Sequence, residues 1–254
     1  MMAEPRVVVH PTAEALAAAV AARLVTTLVD AQTEGRVPQV VVTGGTIARQ
    51  VHRAVRDSAA CAAVDWSSVD FWFGDERFVP AADPERNEKQ TREDLLDALP
   101  VEGRRVHPVA ASDGAFGDDL DAAAAAYAEE LAAREPAGTD DSAPLFDVLM
   151  LGVGPDGHVA SLFPDHPAAQ QPGAVVPVRD SPKPPPLRVS MTFATLARAR
   201  EVWFLASGEG KAEAVGTALA GNGSAQLPAS RPRGHERTLW LLDAESAAAL
   251  PRRG

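Results

Sequence analysis

Asp156 and His158 stand two residues apart in the stretch FDVLMLGVGPDGHVASLFP, Phe146 to Pro164. A carboxylate and an imidazole at that spacing suit proton transfer. A histidine's ordinary pKa of about 6.5 leaves the ring largely unprotonated near neutral pH and able to take a proton from water. Either Asp156 or Asp75 can fix its tautomer, and a close carboxylate would also favour the charged ring. An ordinary reading stands beside this one: Asp156 caps a helix and His158 is a polar loop residue. Three further segments carry residues of chemical interest. Thr43-Gly44-Gly45-Thr46 ahead of a helical stretch offers free N–H groups, two hydroxyls and the positive end of a helix, which suit a compact anion. Without the Gly-Lys-Ser/Thr of a nucleotide loop, a triphosphate does not fit it. Gly74-Asp75-Glu76-Arg77 presents Arg77, whose fork of donors matches paired oxygens or a carbonyl. Gly208 to Lys211 sets an ammonium at a helix start, where it opposes the helix dipole unless an anion sits there.

GVGPDG also matches the dinucleotide pattern G-x-G-x-x-G. Pro155 removes an N–H from that cradle, and Pro164 ends any following helix within about two turns, so the context opposes a dinucleotide. A metal held by Asp156 and His158 with Asp75 or Glu76 is not demanded by the spacing, and no second histidine sits at helical ligand spacing. No metal site is expected.

The elements that must position these residues alternate. Arg6 to His10 reads as a strand, and Thr12 caps an Ala-rich helix running to about Glu34 with Gly35 as its stop. Val37 to Val42 is a second strand, followed by TGGT and a helix to about Ala60. Val69 to Phe73 is a third, leading into a loop and a helix from about Glu88 to Leu99. A short apolar patch at Val106 to Val109 precedes a helix from about Gly117 to Arg134 and the linker PAGTDDSAP. The apolar run from Phe146 does not alternate, as befits a strand buried on both faces. Beyond it, Ala174 to Val178, Leu187 to Thr192, Glu201 to Ala206 and Thr238 to Leu242 read as strands, and Gly210 to Ala220 and the C-terminal segment as helices. Four of the six residues in Ser181 to Pro186 are proline, which excludes regular structure there. GNGSAQLPASRPRGHER reads as a long surface loop. The order predicts an α/β fold: one mostly parallel, Rossmann-like sheet with helices on both faces, with room for a small accessory subdomain. Residues 1–254 are expected to form one domain. In such sheets ligands bind outside the carboxyl ends of the strands, which gathers the four segments at one edge.

A net charge of −11 and a pI near 5.0 disfavour nucleic-acid and acidic-membrane binding, since both need a cationic face. An anionic substrate must be drawn by local cations. The lone cysteine, Cys61, excludes an internal disulfide and fits a reducing compartment as a small buried residue. The N-terminus lacks a secretory pattern, and the uncharged run Ala15 to Ala22 is far short of the roughly 20 residues of a membrane span. A cytoplasmic protein, monomeric or weakly self-associating, is expected. Lysine is scarce: Lys89, Lys183 and Lys211 are the whole set.

Taken together, these residues resemble the 6-phosphogluconolactonase family across nearly the whole chain. LGVGPDGHVASLFP, Leu151 to Pro164, is similar to its Leu-Gly-x-Gly-x-Asp-Gly-His-x-Ala-Ser-Leu-Phe-Pro signature at every fixed position. WFGDERFVP from Trp72 and GEGKA from Gly208 resemble its Asp-Glu-Arg and Gly-x-x-Lys-Ala segments. TGGTIA departs from the usual Ser-Gly-Gly-Ser-Thr-Pro at Ile47 and Ala48, and Arg86 stands where serine is common. The resemblance implies hydrolysis of 6-phospho-D-glucono-1,5-lactone without metal or organic cofactor. It implies His158 as general base on water, Asp156 shaping the turn or orienting the ring, and Arg77 near the ester or phosphate. Thr43, Gly44, Gly45 and Thr46 with Lys211, and with less support Arg188, would hold the phosphate. Two other readings remain: a glucosamine-6-phosphate deaminase-type isomerase, whose turn is similar but is followed by an acid that Ala160 to Pro164 lacks, and a non-catalytic sugar-phosphate sensor.

Overall fold

The computed structural model describes residues 4–134, 143–220 and 227–251. Parts of the linker after residue 134 and of the loop after residue 220 lie outside these residues. Ten strands and six α-helices run in the order β1 (Pro5–His10), α1 (Ala13–Thr33), β2 (Gln39–Val42), α2 (Thr46–Arg56), β3 (Asp70–Phe73), β4 (Asp75–Arg77), α3 (Asn87–Asp94), β5 (Val106–His107), α4 (Leu120–Ala132), β6 (Phe146–Gly152), β7 (Val175–Val178), β8 (Arg188–Met191), α5 (Phe193–Leu196), β9 (Ala199–Ala206), α6 (Ala212–Leu219) and β10 (Arg237–Asp243).

Seven strands form one sheet in the order β1-β10-β9-β6-β2-β3-β5, and every pair in it is parallel. The strand period of two divides its side chains between two cores. Val41, Trp72, Leu149, Leu151, Phe204 and Trp240 face one side. Val40, Val42, Phe71, Phe73, Val148 and Met150 face the other, where Leu16, Val20, Leu24 and Leu28 of α1 cover them. That fourfold spacing on α1 is the buried stripe of an amphipathic helix. Thr12 starts the helix, its Oγ1 accepting from Ala15 N at 3.2 Å. Tyr127 and Leu131 of α4 pack on the opposite face. The α/β, mostly parallel, doubly covered architecture is as the sequence predicts.

The strand order sets where a ligand can enter. From β2 the chain moves through β3 to β5 at one edge, whereas from β6 it moves through β9 to β10 in the other direction. β2 and β6 are neighbours, so the switch in direction opens a crevice between their carboxyl ends. The TGGT segment leaves β2 there, and the GVGPDGH turn leaves β6.

Several predicted elements differ. Gly74 to Arg77 is not a loop, because Asp75–Arg77 is a strand in a second, antiparallel sheet of order β4-β8-β7. Three residues are too few to show a period, and only the partner at Arg188–Ser190 makes the strand. The helix expected to reach Ala60 ends at Arg56, and Ser58 then caps a short 3-10 segment, Ala59–Ala63. The helix expected from Glu88 to Leu99 ends at Asp94 and gives way to a single 3-10 turn. The helix expected from Gly117 begins at Leu120, where Asp119 Oδ1 accepts from Ala122 N at 3.0 Å. Residues 244–250 form turns and a bend rather than a terminal helix. Among the described residues no helix is long and apolar enough to cross a membrane.

Candidate active site

The turn after β6 closes on itself, with Gly154 N donating to His158 O and Gly157 N donating to Gly154 O, both at 2.9 Å. It folds Asp156 and His158 back over Gly154. A Cβ at Gly154 would collide with His158 Nδ1 and Asp156 Oδ1, so only glycine lets the two side chains meet above it. His158 Nδ1 lies 2.6 Å from Asp156 Oδ1, which assigns the ring proton to Nδ1. Nε2 has no hydrogen-bond partner among the described residues. The ring packs on Phe163 at 4.5 Å between centroids.

Lys183 completes this group. Its Nζ lies 3.0 Å from Asp156 Oδ1 and 3.3 Å from His158 Nδ1. Burial works against the Asp156 carboxylate, but the hydrogen bonds and charges of His158 and Lys183 outweigh it and hold the group well below the usual carboxylate range. Lys211, in the turn after β9, is pushed down first by burial and then by the charge of Lys183, with Asp156 acting the other way. The two ammonium groups therefore share one neighbourhood with Asp156. Asp243 at the end of β10 holds that turn, accepting from Gly208 N at 3.0 Å.

Asp75 lies elsewhere. Its Oδ2 accepts from Ser161 Oγ at 2.6 Å, and its backbone O accepts from Asn87 Nδ2 at 2.9 Å. Asp156, and not Asp75, is the carboxylate on the imidazole. Glu76 is fully buried and caps α3, accepting from Asn87 N at 2.7 Å and Glu88 N at 2.9 Å. Burial pushes its carboxyl up to about 7 against the opposing charge of Arg86 and those amide donors.

The four residues Thr43 to Thr46 run from β2 into α2, with Gly45 at φ 98° as N-cap. Thr43 Oγ1 accepts from Gly152 N at 3.3 Å and so joins the two segments at the switch point. Gly44 lies against the Asn87 side chain, and a Cβ there would overlap Asn87 Oδ1. Asn87 Oδ1 and Arg77 Nε are buried without a hydrogen-bond partner among the described residues. Arg77 and Thr46 line a cavity of about 410 Å³ together with Arg49 and Arg53.

Arg188 is buried, and its donors go to the proline-rich segment: Nη2 to Lys183 O and Pro184 O at 3.0 Å each, and Nε to Pro185 O at 3.1 Å. Burial lowers its pKa, with Asp75 opposing. Among the predicted residues, Asp156, His158 and Lys211 come together, and Thr43 to Thr46 and Arg77 lie across the crevice. Asp75 and Arg188 stand behind them as supports. Sequence reasoning missed Lys183, Asn87 and Ser161. The scarcity of lysine and the prolines around Lys183 were its signal.

A family model for glucosamine-6-phosphate isomerases/6-phosphogluconolactonase matches residues 11–240. The chain belongs to this family. A 6-phosphogluconolactonase of Streptomyces coelicolor is 52% identical over 249 residues, covering 98% of this chain and 95% of that protein. The human 6-phosphogluconolactonase is 40% identical over 206 residues, 80% of this chain and 75% of that one. Among solved structures, a 6-phosphogluconolactonase from Trypanosoma brucei superposes with a TM-score of 0.85 at 30% identity, covering 98% of this chain and 99% of that chain. A monomeric glucosamine-6-phosphate deaminase, 20% identical with a TM-score of 0.77 and coverage of 96% and 99%, shares the fold.

Proposed function

We propose that the protein hydrolyses 6-phospho-D-glucono-1,5-lactone to 6-phospho-D-gluconate in the oxidative pentose phosphate pathway, acting in the cytoplasm. The observation that carries the mechanism is a tethered imidazole: Nδ1 is held by Asp156 at 2.6 Å while Nε2 is left to act on water. His158 Nε2 takes a proton from the water that attacks C1, and the ring oxygen leaves as the 5-hydroxyl once protonated. Asp156 keeps the tautomer and steadies the imidazolium that forms. Backbone N–H groups at Thr43 to Thr46, with Lys211, hold the remote phosphate, so binding energy is converted into position. Arg77 contacts substrate near the ester or the phosphate. Arg188 is assigned to the phosphate only if its loop contacts exchange on binding. The lactone is already reactive in water, so general-base help of roughly 10² to 10⁴ plus orientation suffices. No metal or organic cofactor is required.

The deaminase reading loses support from Ala160 to Pro164, which carries no acid, and whose Ser161 is engaged by Asp75. The deciding experiment generates the lactone in situ and follows its disappearance with and without protein. Acceleration over the spontaneous rate, retained after exhaustive chelation, is expected. An unchanged rate overturns the lactonase reading, and loss restored by a divalent metal overturns metal independence.

A further inference from the structure

Lys183 reaches the imidazole–carboxylate pair on a loop built to be stiff. Pro182, Pro184, Pro185 and Pro186 fix their own φ angles and leave few alternative conformations. Ser181 N donates to Pro186 O at 3.0 Å and Ser181 Oγ to Lys183 O at 2.9 Å, closing the segment on itself. The buried Arg188 then ties down three successive carbonyls, those of Lys183, Pro184 and Pro185. A flexible lysine stem is thereby launched from a fixed point, and its ammonium shares Asp156 Oδ1 with the ring.

Resting on the reading of His158 as base, we propose that Lys183 is a positioning residue for the reaction: it anchors Asp156 and sets an ammonium against charge on the His158 ring, with Arg188 as the clamp that delivers it. A carboxylate 2.6 Å from Nδ1 on its own favours the imidazolium, which cannot accept a proton from water. An ammonium 3.3 Å from the same nitrogen opposes that charge while leaving the Nδ1–H to Asp156 bond in place. Among the described residues, the charged groups in contact with the ring are Asp156 on its own turn and Lys183 on the β7–β8 loop, with Lys211 on the turn after β9 near that pair. Behind Phe163 lies Arg188, whose guanidinium stands 5.6 Å from that ring and faces Asp75. Of the cations, Lys183 is the one at contact distance.

The test compares Lys183→Met, Lys183→Arg and Lys183→Cys in the lactone assay across the acid limb of the pH–rate profile. Lys183→Met should move that limb of kcat up by about one pH unit and lower kcat near neutrality roughly tenfold, with KM changed less. Lys183→Arg should keep the parent limb. Lys183→Cys should behave as Lys183→Met until aminoethylated, which restores the ammonium and should return the limb. Cys61, the only native thiol, is buried. A parent-like limb in Lys183→Met with KM alone raised overturns the proposal and makes Lys183 a substrate-binding cation. Failure of aminoethylation to restore the limb also overturns it. His158→Ala keeps the two readings apart: if it retains activity, the general-base reading falls first.

Discussion

Two histidines sit beside carboxylates, one on an edge strand and one in the turn after a central strand, and they differ in what their second nitrogen does. His107 ends the edge strand β5, buried and stacked on Trp72 at 3.9 Å between centroids. Both its nitrogens are taken: Nδ1 lies 2.6 Å from Glu130 Oε1, and Nε2 3.3 Å from Asp70 Oδ1. Burial opposes its charge, but the hydrogen bonds to Asp70 and Glu130 outweigh it and raise its pKa. Bracketed by two carboxylates, it has no ring nitrogen left to offer. His158 has one carboxylate, one ammonium and one nitrogen left over. A carboxylate–histidine contact is thus no sign of catalysis by itself. The second nitrogen decides.

The sharpest way to break this contrast is to remove each ring. His158→Ala should lower kcat by roughly 10² or more with little change in melting temperature; a loss under about tenfold in the same assay would mean another base. His107→Gln should leave kcat within a few-fold of the parent. It should cost about 1–3 kcal/mol in denaturant unfolding, because the buried Asp70 carboxylate loses a hydrogen-bond partner. Smaller in effect, Lys211→Ala should raise KM roughly 10- to 100-fold, as expected for losing a charged hydrogen bond of about 1.5–3 kcal/mol, with kcat nearly held. A fall in kcat at constant KM would place Lys211 at the ester instead.

The pH dependence of stability sharpens the contrast further. His107 has a folded pKa above its unfolded value near 6.5, so its contribution is present below that value and is lost as pH rises through the folded pKa. The penalty of His107→Gln, measured by urea unfolding, should therefore shrink on the alkaline side. A third histidine, His52 in α2, has the opposite sign. Burial brings it down to about 4, and neither ring nitrogen has a hydrogen-bond partner among the described residues. Between about 4 and 6.5 the unfolded chain binds a proton that the folded one refuses, so stability falls as pH drops through that window. His52→Leu should flatten this fall. An unchanged acid slope would mean His52 is protonated in the native state.

Local chemistry was legible without coordinates. The Gly-Val-Gly-Pro-Asp-Gly-His turn, the apolar run before it and the Thr12 cap each depend on residues within a few positions. The alternation of strands and helices then required a parallel sheet, and a parallel sheet puts its loops at one edge. Partners far apart in the chain were not legible. Ser161 meets Asp75 across 86 positions, and neither periodicity nor turn chemistry reports such a distance. Asp75–Arg77 became a strand for the same reason, since its pairing with Arg188–Ser190 lies in another part of the chain.

The sequence by itself therefore determined the sheet and the turn that carries Asp156 and His158 at its carboxyl edge, because these follow from side-chain period, turn residues and the handedness of parallel connections. Only the tertiary structure decided that Asp156 rather than Asp75 holds the ring, that Arg188 is engaged with a proline-rich loop, and that Lys183 meets Asp156 and His158. Those are choices among similar charges. They are made by distances of about 3 Å between segments that only packing brings together.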